Sequence, residues 1–169
     1  ALLRDHAYGV ERPGRADVAA LEWARNEAFQ AADAEPMRVE DLVNVHPEVW
    51  PTLTFEAVPG TTLASSRWDL AGWWDGTAEE PPEAPGGQVL LVRRDAEDDV
   101  RHEVLDAAAA EAARRLFSGA PFAEVCETWA PDEADPMATE EAGRRAVALL
   151  LKLGSGLHST LCSRAECRV

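Results

Sequence analysis

The chain has 169 residues, 46% of them hydrophobic, and its 31 acidic against 16 basic side chains leave a formal charge of −15. That is enough for one ordinary core burying roughly two-thirds of the unfolded surface, so the chain as a whole is not a disordered segment. Acids outnumber bases both up to residue 85 (16 to 6) and beyond it (15 to 10), so the chain lacks the Lys/Arg footprint that displaces counterions from duplex nucleic acid, and anionic membrane surfaces are disfavoured on the same ground.

No apolar run approaches the roughly 18 to 20 residues that a membrane helix needs, the longest being Ala146 to Leu153, which contains Lys152. No signal-peptide pattern opens the sequence, and the absence of an initiator Met is compatible with a processed, truncated or partly omitted N-terminus. Three cysteines, an odd number, argue against a disulfide framework and fit a reducing cytoplasm.

Residues 1–14 read as an extended lead-in closed by Pro13-Gly14. Asp17 then suits the start of a helix to about Ala32, with Val18, Leu21, Ala24 and Ala28 on one face. A short helix follows from Met37 to Val45, ended by Pro47, because a residue before proline is pushed out of the α region. After Pro51, the alternation of Leu53, Phe55 and Ala57 with Thr54 and Glu56 predicts a half-buried strand, and Pro59-Gly60 a turn. Trp68, Trp73 and Trp74 fall in a compact segment that we expect to contain a short helix. A Pro/Gly/acid loop is expected from Thr77 to Gly87.

Gln88 to Arg94 is the clearest strand, and its run Val89-Leu90-Leu91-Val92 predicts cover on both faces. A partner strand is expected near Val100 to Val104. Three helices complete the order: one carrying Leu105, Ala109, Ala112 and Leu116 inward, one from Pro121 to Trp129, and one from Thr139 to Leu153 stopped by Gly154. The expected fold is α+β, a small antiparallel sheet beside a helical layer, with a winged-helix-like C-terminal core preceded by N-terminal helices. Residues 15–157 are expected to form a single domain and 158–169 a flexible tail.

Chemistry-bearing residues are sparse. His158-x3-Cys162-x4-Cys167 has three side chains that can ligate zinc or copper, but a closed structural site takes four, so a tail that contains two cysteines is the simpler reading. Cys126, on an apolar helix face, reads as a buried inert thiol. His6, His46 and His102 are isolated in sequence, and His46 and His102 read as surface decoration. Glu22 and Glu27 lie about 140° apart around a helix and do not converge as a carboxylate pair. No nucleophile elbow, zinc-protease, phosphate-loop or dinucleotide motif is present. Six tryptophans are a heavy dose, serving either the core or a docking surface.

The segments DVAALEW (17–23), EAF (27–29), LASSRW (63–68) with the following Trp73-Trp74, and VLLVRR (89–94), in this order of elements, resemble the HvfC/BufC family, to which the MbnC-type partners of methanobactin biosynthesis belong. The resemblance spans about Arg15 to Leu157 and, since many relatives carry a further N-terminal helical domain, lies nearest the shorter MbnC type. It implies a non-catalytic subunit with no cofactor of its own. The implied partners are a multinuclear iron enzyme of the MbnB/HvfB type, which would carry the iron, and a cysteine-containing precursor peptide. An exposed strand edge is the natural place for such a peptide. Around the VLLVRR strand and the tryptophan segment before it, the expected contact residues are Trp68, Trp74, Leu90, Val92, Arg93 and Arg94. The alternative from a different class is a winged-helix-like regulatory or interaction module, which the charge disfavours as a DNA binder.

Overall fold

In the computed structural model, the described residues are 12, 14–35, 37–76, 79–95, 97–130 and 136–159. The fold is α+β. The chain divides into two compact units, where the sequence reading groups 15–157 together. One, the sheet unit, comprises Ala1–Ala32 with Gly60–Asp106; the other, the helical unit, comprises Asp33–Pro59 with Ala107–Val169.

The sheet unit is one long helix on a three-stranded antiparallel sheet. Helix α1 (Gly14–Gln30) buries the expected stripe of Val18, Leu21, Ala24 and Ala28. This stripe packs against Leu70, Leu90 and Val92. At about 1.5–3 kcal/mol for each fully buried valine or leucine, with less from the two alanines, the stripe is what holds the helix to the sheet. Gly60 closes against the C-terminal end of α1 with φ +83°, and a Cβ there would lie 2.9 Å from the Ala28 Cα and 2.7 Å from the Ala31 Cβ, so only glycine fits.

Strands β2 (Thr62–Trp68), β3 (Glu83–Arg94) and β4 (Val100–Leu105) run in the order β2-β3-β4, following in sequence the short strand β1 (Phe55–Ala57) of the other unit. Between β2 and β3 in sequence comes helix α3 (Leu70–Trp74), the short α2 (Val39–Val43) that precedes it belonging to the other unit. Two expectations change here. The LASSRW segment is itself a strand, and β3 begins at Glu83, inside the expected Pro/Gly loop. From Ser66↔Gln88 to Trp68↔Glu83 the register slips, with β3 using more residues than β2. Gly86 and Gly87, at φ +82° and +78°, absorb this bulge.

The helical unit contains α2 (Val39–Val43), a 3-10 turn at Trp50–Thr52 and β1 (Phe55–Ala57). It is completed by α4 (Ala107–Phe117), α5 (Phe122–Cys126), α6 (Pro136–Leu153) and β5 (Leu157–Ser159). β1 pairs antiparallel with β5, Phe55 opposite Ser159. β5 therefore reaches into the segment read as a tail, while 160–169 lie outside the described residues. Phe55, Leu53, Leu116, Val125, Leu150, Leu153 and Leu157 are fully buried. Phe122 stacks edge-on with both Trp50, at 5.1 Å between ring centroids, and Phe55, at 6.4 Å. Among the described residues no helix is long and apolar enough to cross a membrane.

Candidate functional site

The four segments that carry the family resemblance, scattered from 17 to 94, all fall in the sheet unit. The first two lie on α1, LASSRW is β2, Trp73 and Trp74 end α3, and VLLVRR is the C-terminal half of β3.

The structure separates the six expected contact residues. Leu90 and Val92 are both 0% exposed and belong to the core that receives α1. Since Leu91 on the opposite face is also 0% exposed, β3 is covered on both faces as its apolar run predicts. It is moreover the central strand, paired with β2 along one side and β4 along the other. Its ladder is filled, so a peptide could not add to VLLVRR. The outer strands are β2 and β4, and among the described residues no other strand pairs with their outer sides.

Arg93 and Arg94 are engaged inside the unit. The Arg93 guanidinium lies 3.7 Å from Glu103, with 17% of its side chain exposed. Arg94, 20% exposed, donates to the Ala32 carbonyl at 3.2 Å and lies 3.9 Å from Asp98. Both act first as internal ties between β3 and its neighbours.

Trp68 and Trp74 are half-buried. Trp68 packs on the α1 core, with the Arg67 guanidinium 4.9 Å from its ring centroid. Trp74 is the centre of a cluster that the sequence did not assemble. The Arg25 guanidinium sits 4.7 Å over its ring, and His102 meets it edge-on at 5.3 Å between centroids. Arg25 also bonds His102, with 2.8 Å from its Nη1 to Nδ1. Trp73 packs edge-on against Trp74 at 6.4 Å.

His102 is thus half-buried and built in, contrary to its expected surface role. The strand parity explains why: Val100, His102 and Val104 stand opposite Arg94, Val92 and Leu90, so His102 points to the α1 side of the sheet. The alternation along Val100-His102-Val104 was the available signal. Burial, and after it the charge of Arg25, hold the imidazole below the usual histidine range, while Asp75 pulls the other way.

Two polar ties fix the surrounding elements. Ser66 donates from its hydroxyl to buried Asp17 at 2.9 Å and accepts from the Trp68 N–H at 2.9 Å, so Asp17 binds the sheet rather than serving as the helix cap. Asp69 caps α3 by accepting from the Gly72 N–H, and the Gln88 side chain donates to Asp69 and accepts from the Leu70 N–H. These bonds set where Trp73 and Trp74 lie on the sheet.

Elsewhere, His46 is exposed, and His6, Cys162 and Cys167 lie outside the described residues, as does the side chain of His158. The half-buried Cys126 thiol is pushed up by burial, which lowers its thiolate fraction. Among the described residues no group of three or more His, Cys, Asp or Glu is placed to hold a metal ion. Trp23, within the DVAALEW segment, is 64% exposed, and Phe29 of EAF is 71% exposed. No protein-family model matches the chain, and no curated protein does either.

Proposed function

We propose that this chain is the non-catalytic, cytoplasmic partner of a multinuclear iron enzyme of the MbnB/HvfB type, binding and presenting a ribosomal precursor peptide whose cysteines the enzyme oxidises. The observation that carries the reading is the gathering of the resemblance-bearing segments into one unit with a three-stranded sheet. An extended peptide gains main-chain hydrogen bonds by adding to a sheet edge, and side-chain specificity from alternate positions. The outer strands β2 and β4 are the edges suited to this. The exposed Trp23 and Phe29 of α1 are the apolar side chains a partner protein can cover.

Co-expression of the chain with a candidate iron enzyme and a cysteine-bearing peptide tests it. The expected result is a 1:1 complex with the enzyme and a change in peptide mass that requires both proteins. Peptide modification by the enzyme alone at full rate, or by this chain alone, overturns the proposal.

A further inference from the structure

The Arg25–His102–Trp74 cluster has a property independent of any partner. An arginine keeps its protons across the pH range in which proteins remain folded, so in the 2.8 Å contact Arg25 is the donor and Nδ1 of His102 the acceptor. The imidazole is therefore neutral, with its single proton on Nε2. A second proton would occupy Nδ1, remove the acceptor and set two cations at hydrogen-bond distance in a half-buried position. We infer that Arg25, His102 and Trp74 form an acid-opened latch between α1 and the outer strand β4, in which proton uptake by His102 expels the Arg25 guanidinium from the imidazole and from the face of Trp74.

The charges around His102 favour release over accommodation. From α1 it meets Arg25, and from the residue after α3 it meets Asp75, the one group that favours the protonated ring. Arg101, its neighbour on β4, adds positive charge against Arg25. On β3 the residue opposite His102 is Val92, which does not titrate, and Arg94 on the same face is held by Ala32 and Asp98. The proton-bound state thus has Asp75 as its counter-charge once Arg25 has left. Because folding holds His102 below its unfolded value of about 6.5, the latch contributes fully above that pH. Its contribution falls as pH drops through 6.5 towards the folded-state value.

Nuclear magnetic resonance of the full chain between pH 8 and 4.5 tests the latch. The His102 ring signals are expected to titrate with a midpoint below about 6.5, and the Trp74 indole N–H signal to move with the same midpoint. In His102→Gln, whose amide oxygen can still accept from Arg25 but does not titrate, that movement of Trp74 is lost. In Arg25→Met the His102 midpoint rises towards 6.5. A wild-type His102 midpoint at or above 6.5 overturns the inference even if neither variant folds, and so does an unchanged Trp74 transition in His102→Gln.

Discussion

The two units differ in which groups tie their small cores together. Among the described residues the only buried polar or charged side chains are Asp17 and Ser66, and both lie in the sheet unit. There the elements are also tied by Gln88–Asp69, Arg94–Ala32 and Arg25–His102, each a specific bond between residues far apart in sequence. Among the described residues, no polar or charged side chain is buried in the helical unit. Apolar packing is non-directional and tolerates small adjustments, whereas a hydrogen bond fixes register and is costly when half of it is removed. The sheet unit is thus the part whose elements are fixed by specific side-chain bonds, and the inferred His102 latch lies in it. The helical unit draws its long-range hydrogen bonds chiefly from the backbone, as in the β1–β5 pairing and the bond from the Phe122 N–H to the Leu53 carbonyl at 2.8 Å.

That contrast can be broken by substitution, and the largest effect belongs to the helical unit. Phe55→Ala removes a fully buried ring that packs on Phe122. It is expected to cost about 3–5 kcal/mol in chemical denaturation, by lost transfer energy and the cavity left behind. Asp17→Ala in the sheet unit strands the buried Ser66 hydroxyl without its acceptor, and about 1–3 kcal/mol is expected in the same assay. A smaller loss would show that the Asp17–Ser66 bond is dispensable, removing one leg of the comparison.

Asp69→Ala takes away the α3 cap and one partner of Gln88 together. The expected cost is about 0.5–2 kcal/mol, with a change in the near-ultraviolet circular dichroism of the tryptophans as Trp73 and Trp74 lose their anchor. At the other extreme, Glu140→Gln breaks only an exposed i,i+4 pair with Arg144 on α6. Less than about 0.5 kcal/mol is expected, a change in midpoint near the limit of measurement.

What the sequence revealed follows the range of the interactions involved. The α1 stripe and the short alternation at Phe55 are local patterns, and both elements form as expected. Strand β2 is not legible in the sequence because Thr62-Leu63-Ala64-Ser65-Ser66 mixes small polar and apolar residues without a clean period, and its strand state is imposed by pairing with β3. The backward extension of β3 was hidden by Pro85, Gly86 and Gly87, residues that signal a loop unless a bulge needs them. The pairing of β1 with β5, and with it the division into two units, rests on contacts across most of the chain, which no local window carries.

At the candidate site, the apolar run that identified β3 also implied cover on both faces, which is incompatible with Leu90 and Val92 meeting a partner. Arg25 and His102 were missed for a different reason. They are 77 positions apart, and only the turn of a helix and the parity of a strand, taken together, bring them face to face.

The pairing of β1 with β5 also has a consequence in time. A ribosome delivers Phe55 roughly a hundred residues before its partner Ser159. At about 5–20 residues per second, the first strand of the helical unit waits on the order of 5–20 s for the segment that completes its ribbon. The last strand of the sheet unit, by contrast, ends at Leu105. During synthesis the sheet unit can therefore close while Leu53 and Phe55 are still without their final cover, and in that interval this short apolar stretch is the part of the nascent chain that a chaperone would find.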